Sequence, residues 1–109
     1  MIETVYQLVQ TDEKSIKAVV MDENLHYMHM VLGKDQGLPV HYSNSQVYMT
    51  VLRGLLSIGL DDQEVRDYPK GTLLKIPVNT KMNVHNRQEA TLEITVVKAP
   101  APKGPARQA

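Results

Sequence analysis

The feature that most constrains this chain is its rhythm. Short runs rich in Val, Ile, Leu, Tyr and Thr are broken every few residues by glycine, proline or an acidic pair, and no stretch keeps a helical period. Strands are expected over residues 5–9, 16–21, 25–32, 46–52, 55–60, 64–68, 73–76, 81–86 and 91–98. The breaks between them have physical causes. Residues 33–39 form a loop holding two glycines and a proline; Gly54 allows a sharp reversal; Asp61-Asp62 ends a strand as a hairpin tip; and Pro69-Lys70-Gly71 is a turn. Short strands at this spacing imply an all-β sandwich or barrel.

The totals narrow the function classes. A length of 109 residues corresponds to one domain. Charges balance at twelve basic and twelve acidic side chains. Because no segment concentrates Lys and Arg, nucleic acid and anionic membrane surfaces are not expected partners. With no cysteine, disulfides, thiolate metal sites and a Cys nucleophile drop out. The opening residues do not read as a signal peptide and no apolar run would span a bilayer, so a cytoplasmic location is the expectation. Phe and Trp are absent, which leaves the core to Val, Leu, Ile, Met and some of the five Tyr. Residues 1–98 are assigned to the folded domain. Residues 99–109, with three prolines and four alanines, are expected to form a flexible tail.

Two segments carry a family likeness. Residues 37–54 include His41, Ser43, Val47 and the strand-turn Val51-Leu52-Arg53-Gly54; residues 71–86 include Gly71, Pro77, Asn79, Met82 and Asn86. Together they resemble the paired motifs of the cupin superfamily over roughly residues 25–98, which implies a double-stranded β-helix, or jelly-roll, barrel. Asn79 stands where the family usually has glycine, a mild departure because asparagine tolerates the left-handed region.

The resemblance also locates a metal site, and the residues do not supply it. His41 falls at the first ligand position, Ser43 at the second, Val47 in place of the glutamate and Met82 in place of the last histidine. Centres of this kind need three or more N or O ligands from the protein, so no metal or other cofactor is expected here. By strand parity His41, Ser43, Val47, Met49 and Val51 share one face, with Met82 and Val84 on the facing surface. The expected pocket is therefore apolar and Met-lined, formed by His41, Ser43, Val47, Met49, Met82 and Val84, and suits a small-molecule ligand. Alternative readings are an isomerase- or epimerase-like enzyme with His41 as acid/base, and a rearranged metal site drawing on His41, His26 and Met82. A Ser43–His41 nucleophile pair is disfavoured, since alternate residues of one strand stand about 6.6 Å apart in rise. Tyr48, Thr50 and Leu52 form an outward stripe suited to a homodimer contact.

Overall fold

A computed structural model describes all 109 residues, and its regular structure is entirely β. The strands are β1 (Ser15–Met21), β2 (His26–Leu32), β3 (His41–Tyr42), β4 (Val47–Arg53), β5 (Leu55–Leu60), β6 (Arg66–Pro69), β7 (Leu73–Ile76), β8 (Lys81–His85) and β9 (Leu92–Lys98). They form two antiparallel sheets, a five-stranded one in the order β1-β2-β9-β4-β7 and a four-stranded one in the order β3-β8-β5-β6. No helix is long and apolar enough to cross a membrane.

Period-two patterning closes these sheets over one core. In β4, Val47, Met49 and Val51 are buried while Tyr48, Thr50 and Leu52 are not. Their register partners Val96 and Ile94 on β9 are buried as well, because directly paired residues share a face. Thirteen buried apolar side chains from both sheets, Leu56, Ile58, Met82 and Val84 of the smaller sheet among them, make a single cluster. The turns match their sequence signals. Gly54 has φ +83°, and a Cβ there would lie 2.4 Å from the Thr91 carbonyl oxygen; Asn79 sits at φ +69°. Asp61, at φ +50°, accepts a 2.9 Å bond from the Lys81 amide, so it braces the hairpin rather than only facing water.

Three segments differ from expectation. Residues 5–9 belong to no strand: residues 1–10 make no backbone–backbone hydrogen bond, and Ile2, Val5, Tyr6 and Val9 are exposed. A two-residue strand, β3, is too short to show a pattern; it exists because β8 lies beside it, pairing His41 with Met82. The last eleven residues, expected to be a flexible tail, run as a strap. Backbone bonds join Ala99 to Gln46, Ala101 to Asn24, Tyr42 to Arg107 (2.8 Å) and Ala109 to Val40. Arg107 also lies 3.8 Å over the Tyr42 ring. The prolines remove donors, but enough amides remain between them to tie the strap across the strand ends.

Candidate functional site

The starts of β2 and β4 and the end of β9 meet at one end of the barrel, because His26 and Val47 are both register partners of Lys98. The corner from β3 to β4 lies beside them and the strap crosses over it. This end is the barrel mouth, where the two sequence motifs converge.

The four apolar residues expected to line a pocket are brought together as packing. Val47, Met49, Met82 and Val84 are at most 3% exposed and belong to the core cluster. The molecule carries grooves of between about 290 and 690 Å³, and none of these is lined by any of the four. Their burial places these four side chains in the packed core between the two sheets.

The two polar members are engaged differently. The Ser43 hydroxyl is buried, donates to the Pro77 carbonyl at 2.6 Å and accepts from the Thr80 amide at 2.9 Å. It serves as a brace between the two motif segments and has no hydrogen left for chemistry. His41 is partly exposed, with Nδ1 2.9 Å from the Pro39 carbonyl. A donor at Nδ1 leaves Nε2 as the free acceptor. No group of three His, Asp or Glu side chains converges anywhere in the chain, so His41 and His26 do not form part of such a cluster.

Two features escaped the sequence reading. The first is Lys98. It continues the parity of Leu92, Ile94 and Val96, so its side chain starts on the concave face at the mouth, opposite His26. Burial pushes its ammonium below the ordinary lysine range, and no carboxylate pairs with it. The parity was readable, but a lysine at a strand end looks like a solvated terminus.

The second is an ionic network on the opposite, convex face of the larger sheet. His29 is fully buried there, and its Nε2 lies 2.6 Å from Glu93 Oε2. Arg53 Nε donates to Glu93 Oε1 at 2.8 Å, while its Nη atoms bond Asp12 (2.6 Å) and the Thr11 carbonyl. Burial pulls the Glu93 carboxyl upward, but bonds from His29 and Arg53 together outweigh it and hold the group below the ordinary range. The Asp12 bond, and then Glu93, raise Arg53. The network anchors the root of residues 1–14 to the sheet. It could not be seen in the sequence, because its members lie on separate strands and a loop.

No family model matches the chain. The uncharacterized protein MJ0764 of Methanocaldococcus jannaschii is 38% identical over 104 residues, 94% of this chain and 90% of that protein. Its crystal structure, described as an RmlC-like cupin family protein with a double-stranded β-helix fold, superposes with a TM-score of 0.91 over 94% of this chain and 95% of that one. A double-stranded β-helix protein of Klebsiella pneumoniae shares 15% identity at a TM-score of 0.78, covering 95% of this chain and 92% of its own. The Bacillus subtilis oxalate decarboxylase, known for its Mn(II) centres, shares 17% identity at a TM-score of 0.69 over 79% of this chain and 24% of its own. At such identities the last two likenesses concern fold alone.

Proposed function

The chain belongs to the cupin family, and from that premise we propose that it is a metal-free, small-molecule-binding barrel that takes its ligand at the mouth and works in the cytoplasm as a homodimer. The observation that carries the metal-free part is the state of Ser43, Val47 and Met82. The serine is committed to two backbone partners, and the other two are buried in the core. One imidazole, His41, is left for a centre that needs three or more protein ligands. The mouth is preferred over the interior because a groove of about 340 Å³ opens there, between the strap and His26, Asn44 and Lys98. Met21, which lines this groove, offers a thioether that can repack around an apolar group.

Dimerisation draws support from residues 1–10, which extend with unpaired backbone groups and exposed Ile2, Val5, Tyr6 and Val9. A second copy of this chain is the occupant that satisfies them by symmetry, each arm pairing with the other subunit's sheet. Leu52 and Leu73 on the outer side of the larger sheet are exposed apolar residues as well. A second reading, acid/base catalysis at His41, has in its favour the free Nε2 alone.

Metal analysis of tag-free protein by mass spectrometry tests the first part; near-stoichiometric metal sinks it. Sedimentation tests the second. The full chain should run at twice its 12.3 kDa mass, and a variant lacking residues 1–10 should run as the monomer. A full-length monomer at micromolar concentration refutes the homodimer.

A further inference from the structure

The groove at the mouth has an unusual charge balance. It is lined by Met21, His26, Asn44, Lys98 and strap residues from Pro102 to Ala106, Lys103 among them, and no carboxylate belongs to it. Lys98 is partly buried on the concave side with no salt-bridge partner, whereas Lys14, Lys17, Lys70, Lys75 and Lys103, which also lack one, are exposed to water. A partly buried cation without a partner costs stability and is kept where something else supplies the counter-charge. Its register partner His26 adds an imidazole within cross-strand distance, and Lys103 adds a second ammonium on the far wall. Asn44 fixes the strap by donating to the Gly104 carbonyl at 2.7 Å, and its Oδ1 is buried without a partner. The remaining wall is apolar: Met21, Pro102, Pro105 and Ala106.

We infer that the mouth groove binds a small carboxylate with a short apolar tail, its oxyanion held by Lys98 with help from His26 and Lys103 and its tail against Met21 and the strap prolines. This rests on the reading of the protein as a small-molecule binder with its site at the mouth, and names the ligand class for it. The direction in which burial pushes the ammonium fits the inference, since an anion beside it favours the charged form that burial disfavours. The strap is then part of the site, because residues 102–106 form one of its walls. Free phosphate shares the oxyanion chemistry but has nothing to place on the apolar wall, so carboxylate is the expected preference.

The test is NMR titration of the full isotope-labelled chain at constant ionic strength with butyrate, inorganic phosphate and n-butanol, in wild type and Lys98→Met. Butyrate should shift signals of His26, Asn44 and Lys98 and saturate with a Kd of about 1–10 mM, the affinity of a ligand this small. Phosphate should bind more weakly, and n-butanol, which keeps the tail but not the charge, weaker still. Lys98→Met should lose butyrate affinity roughly tenfold or more, a difference of about 1.4 kcal/mol, with its remaining spectrum unchanged. Equal binding of butyrate and butanol, both indifferent to Lys98→Met, overturns the carboxylate site while leaving a binding barrel. Phosphate binding as tightly as butyrate overturns the carboxylate preference. No saturable shift with any probe overturns both this inference and the reading beneath it.

Discussion

Replacing Glu93 with alanine asks whether the convex face of the larger sheet is held by charge as much as by packing. Glu93 takes hydrogen bonds from His29, whose side chain is 0% exposed, and from Arg53, whose side chain is 37% exposed, while its own is 18% exposed. A bond between a buried partner and a charged group is worth about 1.5–3 kcal/mol. Its loss also strands both ring nitrogens of His29, since Nδ1 already has no partner. The half-exposed Arg53 link adds about 0–1 kcal/mol, screened as surface pairs are. Glu93→Ala should therefore destabilise by about 2–4 kcal/mol, with Glu93→Gln costing about half because one acceptor remains. For a domain of this size that is a fall in Tm of about 8–16 °C. Melting at one fixed protein concentration, followed by circular dichroism, reads it directly. The pH dependence has a defined sign. The folded carboxyl is held below its usual 4.5, so its contribution is complete above that value and fades as pH falls through the lower folded value. Wild type should lose its advantage over Glu93→Gln across that acidic window. A Glu93→Ala protein melting within about 2 °C of wild type would refute the reasoning, since the bond would then be worth well under 1 kcal/mol.

Other substitutions probe the remaining features. Gly54→Ala should cost clearly more than Gly71→Ala: both sites have positive φ, but a Cβ at Gly54 meets backbone at 2.4 Å, whereas Gly71 has nothing within 4 Å. The strain alone is about 1–3 kcal/mol, and urea denaturation should rank the pair. Met49→Ala, at a residue 1% exposed, should cost about 2–5 kcal/mol and create a cavity detectable by binding of a small apolar probe. Ser43→His, Val47→Glu and Met82→His together should bring metal content from negligible to near-stoichiometric in a folded protein, read by mass spectrometry; no gain of metal would mean these are not the ligand positions. Lys98 is held below 10.5 when folded, so the unfolded chain binds more protons just below that value. Wild-type stability should rise with pH through that window, and Lys98→Met, more stable at neutral pH, should lack the rise.

For most of the strands, identity is local and was legible in the chain, whereas for residues 5–9 and the two-residue β3 it was set by neighbours. Alternation of Val47, Met49 and Val51 with Tyr48, Thr50 and Leu52 marks a half-buried strand without any neighbour being known. Gly54, Gly71 and Asn79 sit at positive φ, the conformation their residue types tolerate best, and Val47 falls on the buried parity of its strand. The tertiary structure decided everything that depends on who lies across from whom. It packed Val47, Met49, Met82 and Val84 into one core, because how tightly two sheets close over their side chains is set between segments. It turned the proline-rich end into a strap, because the partners of Ala99, Ala101 and Arg107 lie on three other segments. His29, Glu93 and Arg53 became a network, and Lys98 and His26 came to face each other at the mouth, through register between distant strands. Side-chain direction is encoded residue by residue, whereas a site is a relation between segments that only folding brings within a few ångströms.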